Sequence, residues 1–139
     1  MPQRIAPYLL YEDVAGALDW LARVFGFEEV LRVIGEDGDV NHAEISIGGE
    51  SIFLGDPGGD YRSPKRLGTL TAQVHVYVDD VDAHYERARA AGAEIRQAPE
   101  ETPYGDRRYD VYDLEGQLWS FATRLRDVAP EDWGAKRPE

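Results

Sequence analysis

His42 and Glu44 stand two residues apart in 40–47, a segment that alternates like a strand, so both side chains leave one face of it. An imidazole and a carboxylate so placed can hold a metal, share a proton, or simply pair on a half-exposed sheet, and the last role is the simplest. His75 lies mid-strand in a second alternating run, 72–78, where it can act as base, ligand or cross-cleft hydrogen-bond partner; hydrogen bonding is the economical reading. His84 falls beside the Val81 and Tyr85 face of a helix pattern and reads as structural. Tyr61, Arg62 and Tyr104 occupy loops and can close over a ligand or merely cover surface. Arg107 and Arg108 suit surface ion pairs in so acidic a chain. Nothing resembles a nucleophile–base–acid triad, and the Gly-rich stretches fall in hairpin turns or a linker rather than at a phosphate-binding helix start.

The elements that position these residues follow from periodicity and punctuation. A short strand, 5–11, leads to Asp13, whose carboxylate suits a helix N-cap. Val14, Leu18, Leu21 and Phe25 then share one helical face, and Gly26 ends it. Strands are expected at 29–34, 40–47 and 51–55, with glycine turns between them. The pattern then repeats: a strand at 72–78, Asp80 as cap, Val81, Tyr85, Ala88 and Ala91 on an inner helix face, Gly92 as terminator. Strands at 93–97, 108–113 and 117–123 complete it. Asp13 maps to Asp80, Gly26 to Gly92 and Gly49 to Gly116, three marks of matching type at one nearly constant spacing. Such a coincidence indicates an internal duplication. The expected fold is α+β, with two tandem βαβββ modules closing their sheets around a concave cleft. Module one takes 4–55, a Gly/Pro-rich linker 56–70, module two 71–124, and a polar tail 125–139.

Composition narrows the partners. The chain has 139 residues, 42% hydrophobic and 30% charged. That is the size and make-up of one globular domain. Its net charge of −12, from 27 acidic and 15 basic residues, opposes nucleic acid and anionic membrane surfaces. No apolar run is long enough to span a bilayer, and the start of the chain has no secretory pattern. Without cysteine there is no disulfide frame and no thiol nucleophile, which fits a cytoplasmic protein.

The sequence resembles the vicinal oxygen chelate superfamily of glyoxalases, bleomycin-resistance proteins and extradiol dioxygenases, closest to its PhnB-like branch. The resemblance rests on Pro7-Tyr8-Leu9 running to Asp13, on Val76-Tyr77-Val78-Asp79-Asp80-Val81-Asp82, and on the stretch from Tyr109 to Phe121, and it covers about residues 4–124. It implies a homodimer. It also implies four strand positions for metal ligands, which counting from the caps and glycine turns puts at Ala6, Phe53, Gln73 and Ser120. Alanine and phenylalanine have no donor, and neutral glutamine and serine oxygens are weak ones. No metal and no cofactor are therefore expected.

Parity points Gln73, His75 and Tyr77 to the ligand side and Val74, Val76 and Val78 to a helix. Tyr8, Leu10, Ser51, Leu118 and Ala122 share the ligand side. The expected ligand-binding residues are Tyr8, His42, Glu44, Phe53, Gln73, His75, Tyr77, Tyr104 and Ser120. The function they suggest is metal-independent sequestration of an aromatic or cationic small molecule, as in the resistance members. The competing function is a lyase or dioxygenase-type enzyme that recruits His42, Glu44 and His75.

Overall fold

Two aspartates set where the main helices begin. Asp13 and Asp80 both adopt extended backbone, and their carboxylates accept from Gly16 N at 3.0 Å and Ala83 N at 3.1 Å, which satisfies amides that a helix start leaves open. In this computed structural model, which describes residues 3–139, α1 covers Val14–Trp20 and α3 covers Val81–Ala90. The chain of α1 continues into a π-helical turn, Leu21–Phe25, that stops at Gly26 with φ of 81°. The wider turn lets Leu21, Val24 and Phe25 all be buried, more than one ordinary helical stripe would cover.

The strands form two four-stranded mixed sheets. In one, β1 (Tyr8–Leu10), β2 (Glu28–Ile34), β3 (Val40–Ile47) and β4 (Glu50–Gly55) take the order β1-β4-β3-β2. In the other, β5 (Gln73–Tyr77), β6 (Glu94–Glu101), β7 (Asp106–Tyr112) and β8 (Leu118–Arg124) take the order β5-β8-β7-β6. The first and last strands of each set run parallel and the other pairs antiparallel. Tyr8 lies opposite Phe53, and His75 opposite Ser120, so the second copy repeats the register of the first. The duplicated βαβββ pattern is thus the fold itself.

The chain divides into two compact units. The first takes the chain through Thr71 together with Asp113–Gln117; the second takes Ala72–Tyr112 and Leu118–Glu139. In the first, α1 and its π turn bury Val14, Ala17, Leu18, Leu21, Val24 and Phe25 on the side of the sheet that carries Ala43, Ile45, Ile52 and Leu54. Each of the larger side chains contributes roughly 1.5–3 kcal/mol by leaving water. The turn Asp113–Gln117 completes this unit. Tyr11 donates its hydroxyl to Asp113 at 2.6 Å, and the Glu115 carboxylate accepts from the amides of Glu12 and Asp13 at 2.7 and 2.9 Å. Those amides lead into α1 and would otherwise lack partners. Burial nonetheless pushes the Glu115 carboxyl above its ordinary value. In the second unit, α3 packs on β6, β7 and β8 over Val111, Trp119, Phe121 and the ring of Tyr109, whose hydroxyl bonds His84 Nδ1 at 2.6 Å.

Several boundaries differ from those the sequence suggests. The first strand shrinks to three residues, β6 runs on to Glu101, and β7 starts at Asp106. Ala91 is exposed at the end of α3 rather than on its inner face, because the helix stops one residue earlier. Two segments expected to be irregular hold short helices. One is α2 (Pro64–Leu67), capped by buried Ser63 with proline in its first turn. The other is a 3-10 turn, Pro130–Trp133. Among the described residues no helix is long and apolar enough to cross a membrane.

Candidate functional site

The helix-free face of the first sheet carries Tyr8 on β1, Phe53 on β4, and His42 and Glu44 on β3. They meet there because Tyr8 pairs with Phe53, Phe53 with Glu44, and His42 with Gly55. Tyr8 Oη lies 2.8 Å from His42 Nδ1, and His42 Nε2 lies 3.1 Å from Glu44 Oε2. The rings of Tyr8, His42 and Phe53 surround one another at centroid distances of 5.6 to 5.8 Å. The Tyr8–Phe53 pair meets edge to face, an arrangement the ring quadrupoles favour. Tyr8 remains 53% exposed, so its ring is available to a ligand. Leu31 and Val33, opposite Glu44 and His42 on β2, extend the face with exposed apolar surface.

Gly55 makes this packing possible. A Cβ there would come within 2.6 Å of Tyr8 Cε1 and 3.0 Å of its hydroxyl oxygen. Its backbone is not among those with positive φ, so the ring of Tyr8 alone requires a glycine here.

The corresponding face of the second sheet is more polar. Tyr77 donates to Asp106 at 2.7 Å and accepts from Arg124 at 2.8 Å. Arg124 also binds Asp106 at 2.6 Å and lies over the Tyr77 ring, a cation–π contact. His75 stands edge-on to Tyr77 with centroids 4.9 Å apart. Desolvation and the nearby Arg108 hold its imidazole below the ordinary value, which favours the neutral form. Gln73 is exposed on the same strand. Ser120 is fully buried and donates to Asp110 at 2.6 Å, so its hydroxyl is engaged inside the sheet. Arg108 reaches Asp110 at 3.4 Å and donates to Tyr104 at 2.9 Å, and the Tyr104 ring meets Trp133 of the tail at 5.5 Å. Leu118 and Ala122 are buried.

The residues expected from the sequence therefore fall into two groups. Tyr8, His42, Glu44 and Phe53 form one hydrogen-bonded and stacked cluster in the first unit. Gln73, His75, Tyr77, Tyr104 and Ser120 belong to the second, whose face is held by Asp106, Asp110, Arg108 and Arg124. Those four lie outside the site residues that the sequence suggests, although the alternation Asp106, Arg108, Asp110 along β7 is a parity signal that identifies three of them. Arg107, on the other parity, pairs with Asp82 at the surface.

Paired βαβββ units, each with a helix on one sheet face and an aromatic, hydrogen-bonding surface on the other, define a duplicated-module α+β protein. The chain belongs to the Glyoxalase/Bleomycin resistance protein/Dioxygenase superfamily, whose profile matches residues 4–121. It is 36% identical over 129 residues to the uncharacterized protein Rv0887c of Mycobacterium tuberculosis, a match that spans 89% of this chain and 76% of that protein. The crystal structure of TioX from Micromonospora sp. ML1 is 38% identical, with a TM-score of 0.72 over 89% of this chain and 100% of TioX. The fosfomycin resistance protein FosX from Listeria monocytogenes shares the fold at 16% identity, with a TM-score of 0.64 over 95% of this chain and 98% of FosX.

A divalent metal of the kind many superfamily members use does not fit the residues here. Ala6 and Phe53 offer no donor, Ser120 is committed to Asp110, and Gln73 is a lone neutral amide. Among the described residues, no group of three or more His, Asp or Glu side chains is gathered that could hold an ion.

Proposed function

We propose that the protein belongs to the PhnB-like branch and binds an aromatic or cationic small molecule on its open sheet faces, without metal, in the manner of the drug-sequestering resistance members. The observation that carries this reading is the Tyr8–His42–Phe53 ring cluster, exposed to solvent through Tyr8 and bordered by Leu31 and Val33. A flat ring laid on Tyr8 gains stacking and apolar burial, and Glu44 favours a positive substituent. The first unit carries 14 acidic and 6 basic side chains, net −8, against 13 and 9, net −4, in the second. A cation is therefore drawn more strongly to the first.

The proposed working form is a homodimer in the cytoplasm. The edge strand β2 supports the pairing: all seven of its residues are exposed, among them Val30, Leu31, Val33 and Ile34, and an exposed apolar edge invites a partner strand. The edge strand β6 of the second sheet has charges and Pro99 instead.

The test is thermal melting of EDTA-dialysed protein with planar aromatic cations, neutral aromatics and aromatic acids. A ligand at about 100 times its Kd stabilises by about 2.7 kcal/mol, which a melting curve resolves. The expected result is a rise in Tm, largest for the cations and reduced in Tyr8→Ala and Tyr77→Ala. A Tm that responds only to added divalent metal would overturn the reading in favour of a metalloenzyme.

A further inference from the structure

We infer that Glu44, His42 and Tyr8 form a proton relay, with Tyr8 as the group that takes a proton from a bound molecule. This goes beyond binding. A carboxylate can only accept, so Glu44 fixes the hydrogen of the neutral imidazole on Nε2, 3.1 Å away. Nδ1 is then the acceptor, and it receives the Tyr8 hydroxyl at 2.8 Å. Tyr8 is 53% exposed, and a phenol oxygen that donates its hydrogen to His42 keeps its own lone pairs as acceptors. This is the order of groups that nucleophile–base–orienter sites use, with a phenol in the outer place.

The position is built rather than incidental. Gly55 lacks the side chain that would push Tyr8 aside, and Phe53 meets the Tyr8 and His42 rings at 89° and 63°. The cross-strand neighbours of His42 are Val33 on β2 and Gly55 on β4, neither of which titrates. Among the described residues, Tyr8 and Glu44 are the titratable groups that hydrogen-bond to His42.

In the relay a weakly acidic C–H or O–H on a flat molecule breaks, and its electron pair stays with that molecule. Its proton forms a new bond to Tyr8 Oη as the original hydroxyl proton passes to His42 Nδ1. The imidazolium is balanced by Glu44 and later loses its proton to water. No oxidant or second reactant is needed. The substrate class is a planar compound with an acidified C–H or O–H.

The probe is 5-nitrobenzisoxazole, whose C–H pair closes a nitrile as the ring N–O bond breaks and leaves as a coloured phenolate. Full-length protein should accelerate this reaction, and Tyr8→Phe and His42→Gln should each lose about a hundred-fold. Glu44→Gln should slow the reaction as well, because a neutral amide no longer balances the charge that arises on His42. Equal rates in all four proteins would overturn the relay. Nitrogen NMR of His42 gives a reading that needs no probe: the neutral ring should carry its proton on Nε2, and a proton on Nδ1 overturns the proposal. If aromatic cations still raise Tm while the rates are equal, the relay fails and small-molecule binding stands.

Discussion

At the scale of single residues, Gly55 is the most informative position in the first sheet. Adding one methyl group there should tilt the Tyr8 ring and break its 2.8 Å bond to His42. Gly55→Ala is expected to weaken aromatic-cation binding by about ten-fold, equivalent to about 1.4 kcal/mol, in a titration calorimeter. The far-UV spectrum should stay unchanged, since the backbone at 55 suits alanine. Period-two alternation made the shared face of His42 and Glu44 legible in the sequence. The bond to Tyr8 was not legible, because it depends on which residues of β1, β4 and β3 lie opposite one another. Cross-strand register is set by the whole sheet and leaves no local mark. Ser120 shows the opposite difficulty: its strand position was legible, but the buried Asp110 that engages its hydroxyl lies on another strand.

At the scale of elements, the caps and glycine stops were readable because each answers a local need. An orphan amide calls for Asp13 and Asp80, and a left-handed residue for Gly26 and Gly92. The π turn was not readable, since an ordinary helical repeat gives no warning that the last turn widens. Nor were the short helix after Ser63 and the turn ending at Trp133, which lie in stretches without apolar repeats. The edge strand β2 gives a direct test of assembly. Replacing Val33 with lysine puts a charge on the proposed pairing surface while leaving the core untouched, because Val33 is 47% exposed. Light scattering at micromolar concentration should report a dimer for the natural sequence and a monomer for Val33→Lys. A monomer in both would remove β2 as an interface.

At the scale of the whole molecule, the duplication was legible because a repeat shows itself as a spacing and does not depend on side-chain detail. The acidic balance shapes its response to pH. Ser63 and Arg66 hold the Glu12 carboxyl at about 2, below the ordinary 4.5. A carboxyl depressed on folding stabilises the folded state above the unfolded value, and that contribution fades as pH falls toward the folded one. Tm should therefore decline between pH 4.5 and about 2, and Glu12→Gln should decline less over that window in a calorimetric series. Glu115 has the opposite sign: its raised carboxyl favours the folded state at low pH, and that contribution is lost as pH rises through the folded value. The turn that carries Glu115 has a consequence for how the protein is made. During synthesis the ribosome releases the chain up to Thr71 well before Gln117, so the first unit waits unfinished while all of 72–112 is added. Until the turn arrives, the amides of Glu12 and Asp13 and the hydroxyl of Tyr11 lack these partners. A gene split after codon 71 would not yield two self-sufficient halves, because its first product lacks the turn that closes it.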